Sequence, residues 1–219
     1  MGELSTRRAR ARGMTLFELV IAGAMTVILL GGFLQAAKRG QEAYRRSSAN
    51  TALDAKACRV MDQLLRELSA ASFARLDPSD PVAPFGSERI QFDRPVSFAG
   101  GVPDWGARIE LRWERDPTEV DNDLDDDGDG LVDEGIAVLV RDPGGPDERR
   151  VVLARHVTEL LEGETANALD DNGNGLEDEP GLCFERVDDG LIVRLSVQAP
   201  GPDREVMIRT LESTVTPRN

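Results

Sequence analysis

The chain has little of what most catalytic chemistry needs. Among its 219 residues it holds one histidine, His156, and two cysteines, Cys58 and Cys183. With one imidazole and no serine or cysteine motif beside it, a nucleophilic triad has no signature here, and His156 reads as a partly exposed strand residue. The cysteine spacing excludes a CxxC redox or zinc site. Two cysteines make no disulfide framework, yet in an oxidising space Cys58 and Cys183 could bridge helix to sheet; the alternative is two buried free thiols. Aromatic residues are only 5% of the chain, and Trp105, Trp113 and Tyr44 are scattered as packing residues are. Bases are outnumbered by acids, giving a net charge of −14, which argues against nucleic acid as a partner. No enzymatic activity is expected.

Charge is also missing from one long stretch. The 21 residues from Met14 to Leu34 carry a single charged side chain, Glu18. That length suits a helix crossing a ~30 Å hydrocarbon core. Arg7, Arg8, Arg10 and Arg12 precede it and should hold the N-terminus on the cytoplasmic side, leaving everything after Leu34 outside. The run is longer than the apolar region of a secretory signal, and no small-x-small cleavage site follows it. A plain anchor has no use for Glu18, because a carboxylate in a membrane helix is costly and marks function by default.

The segment Gly13-Met14-Thr15-Leu16-Phe17-Glu18-Leu19-Val20 resembles the processing site of type IV pilin-like proteins. The resemblance implies a leader, residues 1–13, removed by a prepilin peptidase that cuts after Gly13. It also implies an N-methylated Met14 and, in Glu18, the acid at the fifth mature residue used in assembly. Met14 departs from the family's usual phenylalanine. Val152 to Val157 and the ending Arg209 to Asn219 resemble the larger minor subunits, the J-type minor pseudopilins of type II secretion and the W-type minor pilins.

The rest of the chain fits an exported domain. Residues 35–72 contain no proline, and Leu53, Ala57, Val60, Met61, Leu64, Leu65, Leu68 and Ala71 recur at helical spacing. An almost continuous helix from Met14 to Ser72 is expected, with bends or local melting at Gly23, Gly31 and Gly32. Pro78, Pro81 and Pro84 then end it. Beyond them the period is two: strands are expected at Ile90–Phe92, Ile109–Glu114, Ile136–Val140, Arg150–Arg155, Leu182–Val187, Leu191–Val197 and Glu205–Leu211. Asp142-Pro143-Gly144-Gly145, Asp188-Asp189-Gly190 and Pro200-Gly201-Pro202 mark turns. The fold expected is α+β, a long N-terminal helix (membrane half, then amphipathic half) packed on an antiparallel sheet, which the pilin resemblance implies as well. The domains are then a leader at 1–13, a membrane or filament-core helix at 14–34, and a periplasmic domain at 35–219.

Two acidic loops stand apart. Residues 115–135 hold ten acids and one base, and residues 163–182 hold six acids and no base. Leu124 to Glu134 matches Leu169 to Glu179 at an offset of 45. Oxygen side chains recur at Asp125, Asp127 and Asp129, and again at Asp170, Asn172 and Asn174, with a glycine following in each. This resembles the calcium loops of EF-hand and dockerin-type repeats, where alternate residues point oxygens inward and glycine permits the sharp turn. The expected Ca²⁺ ligands are Asp125, Asp127, Asp129, Asp133 and the Leu131 carbonyl, and in the second loop Asp170, Asn172, Asn174, Asp178 and the Leu176 carbonyl. The twelfth-position glutamate is missing, and Glu134 and Glu179 are the available substitutes. Paired acids can imitate a glycosidase dyad, but Asp/Gly loops are far more often calcium sites.

The function expected is a minor pseudopilin that primes or caps a periplasmic filament of a type II secretion system, in the inner membrane with its C-terminal domain in the periplasm. Its partners would be other minor pseudopilins or pilins, met through the N-terminal helix. The alternatives are a minor pilin of a type IV pilus and, in a different class, a membrane-anchored calcium-dependent binding or adhesion protein.

Overall fold

A computed structural model describes residues 14–78, 86–188, 190–202 and 205–217. The leader, with Gly13, lies outside the described residues. A single helix, α1 (Leu16–Ser69), begins where Thr15 and Glu18 close a capping box. The Glu18 carboxylate accepts the Thr15 N–H at 2.9 Å, and Thr15 Oγ1 accepts the Glu18 N–H at 3.3 Å. Helical structure runs through Gly23, Gly31 and Gly32 without the local melting expected there. After it comes a short 3-10 helix, Phe73–Arg75.

Ten strands follow among the described residues: β1 (Gly86–Ser87), β2 (Arg89–Phe92), β3 (Pro95–Ala99), β4 (Val102–Trp105), β5 (Ile109–Arg115), β6 (Gly135–Arg141), β7 (Arg149–Val157), β8 (Leu182–Val187), β9 (Gly190–Pro200) and β10 (Val206–Val215). All seven expected strands are present. The extra ones carry no period-two signal: β1 is two residues long, and β3 and β4 pair only with each other, with no buried residue in either. The main sheet has the order β1-β8-β9-β7-β6-β5-β2, with β10 on the other edge of β9, and its pairs are antiparallel. The protein is therefore α+β, a long N-terminal apolar helix and an antiparallel sheet domain.

The chain divides into two units, Met1–Arg45 and Arg46–Asn219. In the first, every described residue is exposed. In the second, Leu53, Ala57, Val60, Met61, Leu64 and Leu68 form one stripe of α1. They share a core with Ile90, Phe92, Leu111, Leu139, Leu182, Phe184 and Leu195 on the facing strands. Each fully buried leucine or phenylalanine there contributes about 1.5–3 kcal/mol over an exposed one.

The other face of the sheet is held differently. Ile136, Val138 and Val140 form a small separate cluster. In register beside them stand Glu114, Arg112 and Glu110 of β5, joined through the Arg112 guanidinium. Arg194, nearly buried, pairs with Glu185 at 2.6 Å and Glu212 at 2.9 Å. A guanidinium is tolerated at that depth because carboxylates meet it from both neighbouring strands.

That face also decides the cysteines. The bridge between Cys58 and Cys183 is not made, and both are free thiols. Leu182 and Phe184 point into the helix-side core, so Cys183 between them points to the opposite face, with Arg194 as its register partner. Cys58 lies exposed on α1, so the sheet separates the two sulfurs. Burial pushes the Cys183 thiol up to about 12. A thiol reagent should therefore modify Cys58 alone in the native chain and Cys183 only after unfolding, without any reductant. Peptide mass mapping showing native labelling of Cys183, or a second thiol that appears only on reduction, would contradict this placement.

Candidate metal centres

Both acidic loops leave the sheet at one end. Arg115, Gly135 and Val157 are in register across β5, β6 and β7, and Val157 pairs with Val197 of β9. Next to that pair, the Ser196 N–H donates to the Gly181 carbonyl at 2.7 Å, which brings in the start of β8. The turn between β5 and β6 and the turn between β7 and β8 thus hang from adjoining strand ends. Gly135 has a packing reason: a Cβ there would collide with the Trp113 ring, whose Nε1 donates to the Thr158 carbonyl.

Within each loop the first aspartate gathers backbone N–H groups. Asp125 accepts from Gly128 at 2.6 Å and Gly130 at 3.0 Å, and Asp170 accepts from Gly173 at 2.7 Å and Gly175 at 2.8 Å. Asp127 and Asn172 each accept from the residue two further on, as do Asp129 and Asn174. Gly128 and Gly173 have φ of 82° and 77°, and Gly130 and Gly175 have 92° and 93°, values that glycine alone adopts without strain. Asp123 and Ala168 match as well, at 58° and 57°. The sequence repeat is a repeat of backbone conformation.

The repeat extends further upstream than Leu124. The Glu119 carboxylate accepts the Asp127 N–H at 3.2 Å, and Glu164 accepts the Asn172 N–H at 2.9 Å. Asn122 and Asn167 each contact the aspartate four residues on, Asp126 and Asp171. Sequence reasoning missed Glu119 and Glu164, although Glu-x-x-Asn-x-Leu-Asp stands at both places with the same offset.

The expected ligands are not all brought together. Glu119, Asp125 and Asp127 converge, and Asp129 converges with Glu134 and His156, each group with its ligand atoms within 4.8 Å. In the second loop Glu179 receives the side-chain amides of Asn172, at 3.1 Å, and Asn174. Leu131 and Leu176 are buried. Asp133 and Asp178, expected as ligands, turn away to close the base of each loop. Asp133 accepts from the N–H groups of Asn122 and Asp123, and Asp178 from those of Asn167 and Ala168. A further carboxylate group, Asp121, Asp133 and Glu159, already has a cation, since the Arg115 guanidinium meets all three within 3.3 Å.

The electrostatics of the first loop are severe. Glu134 is 1% exposed, and its carboxyl is pushed up to about 7, first by burial and then by Asp129, Glu119 and Asp127. His156 is the unpaired residue of a β-bulge opposite Gly135/Ile136, at φ 56°, and this aims its Nε2 at Asp129, 3.4 Å away. Burial and the Lys56 ammonium lower the His156 pKa. These acidic groups could hold a metal ion. No protein-family model, curated protein or solved structure matches this chain.

The upstream glutamates brace the loops without any ligand. Glu164 also accepts the Asp178 N–H at 3.3 Å, whereas Glu119 holds a single loop amide. Hydrogen–deuterium exchange of Glu164→Ala should show the Asn172 and Asp178 amides exchanging roughly tenfold faster, the loss of a charge-assisted hydrogen bond. Unchanged protection of both would remove the bracing role.

Proposed function

We propose that this chain is a pilin-like subunit, a minor pseudopilin that primes or caps a periplasmic filament of a type II secretion system from the inner membrane. One observation carries the reading. The N-terminal part of α1 is long and apolar enough to cross a membrane, none of its most apolar stretch is buried, and its one acid stands in the first turn. A helix that exposes this much apolar surface needs lipid or other helices around it. The order of an exposed apolar helix followed by a helix-on-sheet domain supports the same reading, as does the Gly13-Met14 motif ahead of it.

Glu18 is asked to do two things. It closes the capping box with Thr15, and in a filament the Met14 ammonium would neutralise it among packed helices. Glutamine closes a capping box as well as glutamate does but carries no charge. The precursor should lose residues 1–13 and expose an N-methylated Met14 by mass spectrometry. Glu18→Gln should then leave cleavage and insertion intact while impairing secretion as severely as Glu18→Leu. If Glu18→Gln restores secretion where Glu18→Leu fails, the acid serves only as a cap. If both function, the anchored binding protein is the better reading. Loss of surface pili with secretion unchanged would place the subunit in a type IV pilus.

A further inference from the structure

Three features compete for a ligand: the exposed β3–β4 hairpin with Val96, Phe98 and Val102, the carboxylates around Arg115, and the two repeat loops. The hairpin has no indicated partner, and Arg115 already serves the second group. The loops carry more, because they combine convergent oxygens with buried carboxylate atoms that nothing satisfies. Oε2 of Glu119, of Glu134 and of Glu179 is fully buried and receives no hydrogen bond from the described chain. These residues are 6%, 1% and 3% exposed. A buried carboxylate oxygen without a donor costs free energy that a native fold does not normally leave uncompensated. Two of the three, Glu134 and Glu179, are repeat equivalents, so the same orphaned oxygen recurs in two separately built loops.

We propose that both loops are calcium sites of unequal strength, each completed by its buried glutamate. The first takes Ca²⁺ on Asp125, Asp127, Asp129 and Glu134, with Glu119 entering from upstream. The second takes it on Asp170, Asn172, Asn174 and Glu179. The side-chain amides of Asn172 and Asn174 now donate to Glu179 while their oxygens accept backbone N–H groups, so presenting those oxygens to a cation gives up hydrogen bonds and weakens this second site. Asp133 and Asp178 stand apart from these ligands: Asp133 gathers with Asp121 and Glu159 at the Arg115 guanidinium, and Asp178 accepts the Asn167 and Ala168 N–H groups at the loop entrance.

The chemistry selects the ion. The donors are many, all but His156 are oxygens, and they sit on loops whose turns are set by glycine. That suits the six to eight oxygen ligands and loose geometry of Ca²⁺. Mg²⁺ demands a tighter octahedron and keeps its waters, while Zn²⁺ prefers nitrogen and sulfur. Affinity follows ligand charge: the first loop offers five carboxylates and the second offers Asp170 and Glu179 with two neutral amides, so the first fills first. The proposal does not rest on the assembly reading, and Glu18 variants leave it untouched.

The test uses the full chain in detergent micelles, stripped with chelator and titrated with CaCl₂ by calorimetry. Two binding events are expected, the tighter one weakened on the order of 100-fold by Glu134→Gln and the weaker one abolished by Asp170→Asn. Thermal melting read through tryptophan fluorescence guards against misfolding, because Trp113 donates to Thr158 at the base of the loops. In chelator, Glu134→Gln should melt higher than the parent, having lost a buried carboxylate oxygen that no donor of the described chain meets. In millimolar calcium the order should reverse. An equal rise under both conditions, or no heat on titrating the parent, overturns the proposal. Zinc binding abolished by His156→Gln without any calcium response overturns it as well.

Discussion

Everything in the sheet domain follows from burying one stripe of α1 against one face of the sheet. Leu53, Ala57, Val60, Met61, Leu64 and Leu68 meet Phe92, Leu111, Leu139, Phe184 and Leu195 in a single core. Once that face is apolar, strand geometry sends every alternate residue to the other side. The second face is therefore where Arg112, Arg194 and their carboxylates appear, and where Cys183 is sealed away from Cys58. The ion pairs are a consequence of the packing and keep the outward face of a two-sided sheet from being an exposed apolar surface.

The same register concentrates charge. Strands pairing in antiparallel order return the chain to one end of the sheet, so two acidic turns separated by a strand pair become neighbours. The protein spends much hydrogen bonding on keeping them folded: Asp125, Asp170, Asp133, Asp178 and Glu164 each hold two or more backbone N–H groups. Those bonds set the loop conformation but leave one buried oxygen without a donor on each of three glutamates. That is why Glu119, Glu134 and Glu179 matter more than a count of acids suggests.

The N-terminal part of the helix is long and apolar enough to cross a membrane. Its residues are all exposed, and the capping box shows that Glu18 has a local job before any assembly is considered. Glutamine closes the same box without the charge, so cap and charge are separable at this position.

Much of this was legible in the residues alone. Periodicity of 3.6 and of two located α1 and seven strands within a few residues, because burial of one face imposes those spacings directly. The 45-residue offset placed both loops and most of their oxygens. What sequence could not settle was direction. Asp133 and Asp178 occupy ligand positions in the motif, yet the fold spends them on the loop entrances. His156 reads as an ordinary strand residue until a bulge turns it toward Asp129. The cysteines could pair on paper, but a side chain's face depends on which neighbours its strand packs against. Local pattern thus determined which residues are helical, extended or acidic. Only the tertiary structure decided which oxygens are left without a partner, since that depends on where every competing N–H group comes to rest.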